Sequence, residues 1–209
     1  MNLNLSQIKN ELSQVWQELP NTKEKISSVI VPVFESDTLG QGLILTQRSK
    51  HLKSHPGQIS FPGGVVDPED SDLLQCALRE WEEEMGVTRD HIEVLGKHTG
   101  LQTRTGFHIT PFLGKYTGDF IFSHNKDEVE KIIILPLNEL IHAPFYKINI
   151  PNQKILNTAY YFDLKEGLLW GATCEIILSF LKDYASFERI PQIVKPNLNF
   201  PPFLNPKLL

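Results

Sequence analysis

The chain has 209 residues, 41% hydrophobic and 22% charged, a composition that supports one compact globular domain with extensions better than two full domains. A formal net charge of -5 removes the basic surface that a nucleic-acid binder relies on, yet leaves room for a small anion held through a divalent cation. Two cysteines, Cys76 and Cys174, stand far apart and in no metal-ligand spacing, which argues against a disulfide framework and for a reducing cytoplasm.

In chain order, Met1-Asn2-Leu3-Asn4-Leu5 lacks the basic stretch and apolar run of a secretory leader. No window reaches the length of a membrane-spanning helix, so no membrane partner is expected. Leu5, Ile8, Leu12, Val15 and Leu19 repeat at helical spacing, which predicts an amphipathic helix capped by Ser6 and ending near Pro20. Two strand-like runs follow, Ile26 to Phe34 and Gly42 to Thr46, with Ser36, Asp37 and Gly40 in the turn between them. A polar segment from Arg48 to Gln58 leads to the turn Phe61-Pro62-Gly63-Gly64 and then to a helix from Leu73 to Gly86. Further strands are expected at Ile92 to Leu95, around Phe107 to Phe112, and at Ile132 to Leu135, before a short helix starting at Pro136. Tyr146 to Ile150 and Ala159 to Phe162 read as a late hairpin, and Trp170 to Tyr184 as a second long helix whose residues, Trp170 first, cap the core.

The tail from Pro191, with Phe200 and Phe203, reads as irregular chain lying on the domain or on a partner subunit. Its last residues, Lys207-Leu208-Leu209, lack the serine-lysine-leucine order of a peroxisomal address. These elements predict an α/β fold, a mixed sheet sandwiched by helices. They divide into an N-terminal helical extension (1–24), a central domain (25–185) and a proline-rich C-terminal extension (186–209). The apolar-bearing termini make a homodimer the expected assembly.

On a helical wheel, Leu74, Ala77, Leu78, Trp81 and Met85 form the buried face of the acidic helix. Glu80, Glu83 and Glu84 lie on the adjacent flanks, three and four residues apart, where their carboxylates can converge. Like charges at that spacing cost a few tenths of a kcal/mol per pair, roughly, unless a cation offsets them. A run such as Glu82-Glu83-Glu84 is, by itself, as often a solvated face. Two neighbours favour the cation: Arg79, which can orient a carboxylate through a bidentate pair, and Gly63-Gly64, where backbone can approach a ligand closely.

The sequence from Arg79 to Val87, Arg-Glu-Trp-Glu-Glu-Glu-Met-Gly-Val, resembles the second half of the Nudix box at every defined position. The first half departs from the pattern. Five residues beyond Gly64 stands Asp70 instead of glutamate, and the interval from there to Arg79 is one residue too long. Glu69 and Asp70 are both candidate partners of Arg79. Upstream, Leu45-Thr46-Gln47-Arg48-Ser49, Lys53, Gly57 and Phe61-Pro62-Gly63-Gly64 resemble the signature of Nudix coenzyme A pyrophosphatases, with Lys53 where that signature has arginine. Weaker similarities lie at Thr105-Gly106-Phe107, Thr110-Pro111, Asp127-Glu128-Val129 and Trp170-Gly171-Ala172-Thr173.

The resemblance implies a Nudix-type α/β/α sandwich that hydrolyses the diphosphate of coenzyme A to 3′,5′-ADP and 4′-phosphopantetheine. It implies Mg²⁺ or Mn²⁺ held by Glu80, Glu83 and Glu84, with Glu128 as a downstream ligand for which Asp127, Glu130 and Asp119 compete. Glu84 is then the indispensable ligand, Glu80 the one nearest to a base, and Arg79 completes the catalytic group. Glu84→Gln is expected to abolish turnover and leave thermal stability nearly intact. Arg48, Lys53, Gly63 and Gly64 would bind substrate, with Lys50, His51 and His55 in the same cationic stretch. Another nucleoside diphosphate derivative, such as ADP-ribose or a dinucleotide, is the alternative substrate, and a non-catalytic nucleotide-binding module a more distant one.

Overall fold

The computed structural model describes residues 2–12, 14, 25–103, 106–149 and 158–194. It begins with α1 (Leu5–Glu11), β1 (Lys25–Ser36), β2 (Gly40–Arg48), β3 (Ile59–Ser60), β4 (Gly63–Val65) and α2 (Leu73–Met85). A single 3₁₀ turn, Arg89–His91, precedes β5 (Ile92–Lys97), β6 (Leu101–Gln102), β7 (Phe107–Tyr116) and β8 (Val129–Pro136). The chain continues through α3 (Leu137–His142), β9 (Phe145–Asn149), β10 (Thr158–Leu164), β11 (Gly167–Trp170), α4 (Gly171–Ala185) and β12 (Gln192–Val194).

A mixed eight-stranded sheet runs β3-β2-β1-β7-β5, with β4 beside β1, β6 beside β7 and β8 beside β2. Only β1 and β7 in it are parallel, in register from Lys25 opposite Phe107 to Phe34 opposite Tyr116. A second sheet of four strands runs β11-β10-β9-β12. The expected late hairpin is its antiparallel β9–β10 pair.

Alternation along the strands divides the core in two. Ile30 and Phe34 of β1, Ile44 of β2 and Phe112 of β7 pack on one face with Leu73, Ala77, Leu78, Trp81 and Met85 of α2. Val31, Val33, Leu43, Leu45 and Leu113 pack on the other with Leu5 and Ile8 of α1 and with Cys174, Ile177 and Phe180 of α4. Period two in the strands therefore feeds two helical layers, and the result is an α/β/α sandwich. Among the described residues, no helix is long and apolar enough to cross a membrane.

Several local expectations change. The cap of α1 is Asn4, whose side chain accepts from the Gln7 N–H at 3.1 Å, and Ser6 lies inside the helix. On α2, Leu73 and Cys76 are buried where the wheel placed Leu74, which is only partly covered. The short strands β3, β4, β6, β11 and β12 escaped prediction because two to four residues carry no readable period. The C-terminal segment expected to be irregular contributes β12, which pairs in parallel with β9. Val15, Leu19, Pro20, Thr105, Ile150, Phe200, Phe203 and Lys207-Leu208-Leu209 lie outside the described residues.

Candidate active site

The acidic helix is fixed at both ends by its own sequence. Asp72 caps the start, its side chain accepting from the Gln75 N–H at 2.8 Å. Gly86 ends it in the left-handed conformation at φ 64°, donating its N–H to the Glu82 carbonyl. Ahead of the helix, β4 pairs with β1, placing Gly63 opposite Val29 and Gly64 opposite Ser28. A Cβ on Gly64 would lie 2.2 Å from Glu80 Oε1, so the absence of a side chain there is what lets the Glu80 carboxylate rest against the strand.

Asp70 is the partner of Arg79. The Arg79 Nε and Nη2 donate to Asp70 Oδ1 and Oδ2, both at 3.0 Å, a bidentate fork. Asp70 Oδ2 also accepts from the Asp67 N–H at 2.8 Å, and the Asp70 N–H donates to the Asp67 carbonyl at 3.0 Å. This tight turn absorbs the extra residue between Gly64 and Arg79 and buries Asp70, while Glu69 points to solvent. Burial alone would raise the Asp70 carboxyl; the bonds from Arg79 and Asp67 outweigh it and hold it below its ordinary value. The Arg79 Nη1 donates onward to Glu80 Oε1 at 2.9 Å and to Glu83 Oε2 at 3.0 Å.

The run Glu82-Glu83-Glu84 splits three ways. Glu82 is engaged by Arg89, which donates through Nε at 2.9 Å. Glu83 is largely exposed and committed to Arg79. Glu84 is 2% exposed, and its Oε2 has no hydrogen-bond partner. Burial, reinforced by Glu80 and Glu128 and only partly countered by Arg48 and the Gly63 N–H, pushes the Glu84 carboxyl up to about 8. The nearest cation is Arg48, at the end of β2, with Nη1 at 3.9 Å; its Nε is likewise buried without a partner. The Glu80 carboxyl is also raised, by burial first and then by Glu83 and Glu128, against the pull of Arg79.

Of the four downstream acids considered, Glu128 is the one whose charge acts on Glu80 and Glu84. Asp119 faces Tyr116 instead, and Asp127 and Glu130 are exposed. The Ser49 N–H donates to the Glu128 carbonyl at 2.8 Å, which ties the Arg48 strand end to the segment bearing Glu128. Lys50, His51, Lys53 and His55 all stand exposed on the loop between β2 and β3. Cys174 is a buried free thiol in the core, and Cys76 is buried with Sγ 3.7 Å from the Gly64 carbonyl and pushed up to about 11 by burial. Neither is a nucleophile.

Among the described residues, no three acidic, histidine or cysteine side chains are gathered as a ready metal cage. The chemistry of the site nevertheless fits a hard cation. Glu84 holds a buried, unpartnered carboxylate oxygen, and its repulsion from Glu80 and Glu128 is relieved by positive charge. Sequence reasoning missed the depth of Glu84 and Asp70, because burial of an acid depends on which loop covers it, and helical spacing does not encode that.

Solved structures give the fold first. The fold resembles a MutT/nudix family protein from Enterococcus faecalis at TM-score 0.51 and 20% identity, covering 80% of this chain and 66% of that one. It also resembles a NUDIX hydrolase from Nitrosomonas europaea at TM-score 0.50 and 13% identity, covering 85% and 82%. At those identities the likeness concerns the fold, a Nudix-type sandwich. The NUDIX domain profile matches residues 24–157. A Nudix hydrolase, NudL, of Yersinia enterocolitica is 37% identical over 136 residues, 65% of this chain and 70% of the relative. Its counterpart in Yersinia pestis is 36% identical over the same length, 68% of the relative. The chain belongs to the Nudix family and is an enzyme, a hydrolase of the pyrophosphatase kind.

Proposed function

We propose that this enzyme hydrolyses the diphosphate of coenzyme A and its derivatives, releasing 3′,5′-ADP and 4′-phosphopantetheine or its acylated form. One observation carries the reading: Arg48, from the signature similar to coenzyme A pyrophosphatases, reaches to 3.9 Å from Glu84 of the acidic helix. The two sequence features thus meet in one place, a carboxylate group beside a guanidinium suited to phosphate.

Glu84, Glu80 and Glu128 would hold Mg²⁺ or Mn²⁺, with Glu83 on the outer flank as a further ligand once it exchanges its ion pair with Arg79. Bound there, the ion supplies charge neutralisation on the diphosphate oxygens and a more acidic water. Glu80 takes the proton of the attacking water, its carboxylate held in place for that task by Arg79. Water adds to one phosphorus, the bond from that phosphorus to the bridging oxygen breaks, and the bridging oxygen leaves on the other phosphate. Arg48 neutralises the leaving phosphate, and Lys53, exposed on the loop after β2, would hold a peripheral phosphate. Arg79 positions Glu80 and Glu83 without touching the reacting atoms.

The buried free thiols accord with a reducing cytoplasm. The exposed Ile190, just before β12, and Ile193, within it, support the homodimer expectation. The test is a panel of coenzyme A, acetyl-coenzyme A, oxidised coenzyme A, NADH, ADP-ribose and diadenosine polyphosphates, each with Mg²⁺ or Mn²⁺ and resolved by chromatography. The proposal expects the highest kcat/KM on a coenzyme A form. Cleavage of ADP-ribose or a dinucleotide with every coenzyme A form left intact would replace it.

A further inference from the structure

Glu128 acts on Glu80 and Glu84 from a different segment of chain, the loop between β7 and β8. Asn125 joins that loop to the acidic helix. Its N–H donates to the Glu84 carbonyl at 3.1 Å, one of the carbonyls the last helical turn leaves without a partner. Its own carbonyl accepts from the N–H groups of Glu128 at 3.1 Å and Val129 at 2.8 Å. Its side-chain Oδ1 accepts from the Asp127 N–H at 3.1 Å, closing an Asx turn. The loop and helix end abut closely, since a Cβ on Gly86 would lie 2.1 Å from the Ser123 carbonyl oxygen. Beyond Asn125, the Glu128 carbonyl is pinned by the Ser49 N–H at 2.8 Å.

We propose that Asn125 is a positioning residue for the metal site: its side chain folds the 125–128 turn and so sets where Glu128 stands relative to Glu80 and Glu84. The proposal rests on Glu128 being a metal ligand. Asn125 touches no reacting atom; it sets where one ligand stands relative to the others. Alanine there keeps the backbone bonds and removes the Oδ1 acceptor, whereas aspartate keeps an oxygen in the same place.

Mn²⁺ binding to the full-length protein, followed by electron paramagnetic resonance of the free ion, tests this without turnover. Asn125→Ala is expected to weaken Mn²⁺ about tenfold, the lower end of the range for groups that orient a ligand. Asn125→Asp is expected to stay within about threefold of wild type, and Asn125→Ala added to Glu128→Gln to cost nothing beyond Glu128→Gln alone. Wild-type binding by Asn125→Ala, alongside a loss in Glu128→Gln, overturns the role of Asn125 and leaves that of Glu128 standing. An equal loss from Asn125→Ala in the Glu128→Gln background also overturns it, as general support of the fold. Unchanged binding by Glu128→Gln overturns both.

Discussion

Glu84 sets function against stability, and Glu84→Gln measures the conflict. In the unfolded chain this carboxyl titrates near 4.5; in the folded protein burial, Glu80 and Glu128 push it up to about 8. Between those values the folded state holds a proton that the unfolded state has released. Stability from this group is therefore full below about 4.5, declines as the pH rises through the window, and is lost above about 8. At about 1.4 kcal/mol per tenfold in proton affinity the ceiling is about 5 kcal/mol, and structural relaxation reduces it to about 2–4 kcal/mol. Glutamine has nearly the same shape and no charge to desolvate. In EDTA at pH 8 the variant should melt about 4–16 °C above wild type, given about 2–4 °C per kcal/mol at this chain length. The difference should shrink toward pH 5. In saturating Mn²⁺ the gap should largely close, because wild type gains about 3 kcal/mol at a hundredfold excess over Kd, comparable to its deficit, and the variant does not. The buried carboxylate thus replaces the simpler expectation of unchanged stability. Differential scanning fluorimetry across pH with EDTA or Mn²⁺ is the assay. A variant that melts below wild type in EDTA at pH 8, or that shares the full Mn²⁺ shift, would refute the reasoning.

Asp70→Asn, which breaks the fork with Arg79, should cost about 1–3 kcal/mol in urea unfolding, whereas Glu69→Gln should stay within about 0.5 kcal/mol. Because the folded Asp70 carboxyl lies below its ordinary 3.8, its contribution is present above that pH and lost as the pH falls through the folded value, a loss absent from Asp70→Asn. Gly64→Ala should lower Tm only slightly yet lower kcat about a hundredfold, since the atoms that must move are the far end of the Glu80 side chain and its bond to Arg79. Steady-state kinetics beside a melting curve separates the two effects.

The sandwich was legible because long periodic runs declare themselves: the β-branched stretch of β1 and the apolar face of α2 each carry a full period. The box from Arg79 to Val87 located the site by type and spacing. Three consecutive glutamates, however, look alike in sequence and differ completely in space. Arg89 takes Glu82, Arg79 takes Glu83, and Glu84 is buried with Arg48 beside its carboxylate. Likewise, the choice of Asp70 over Glu69 depends on a turn closed by Asp67, a four-residue geometry that no count of intervals specifies. Side-chain partners across distant segments, such as Arg48 with Glu84, follow from sheet order and not from local pattern.

The central claim is a carboxylate-held metal acting on a coenzyme A diphosphate beside Arg48. Its most direct measurement is chromatography of coenzyme A incubated with the enzyme and Mn²⁺, with EDTA as the control. The account predicts equal amounts of 3′,5′-ADP and 4′-phosphopantetheine, formed only with the metal and not by Glu84→Gln. Intact coenzyme A in the presence of Mn²⁺, from enzyme that cleaves ADP-ribose under the same conditions, would contradict it.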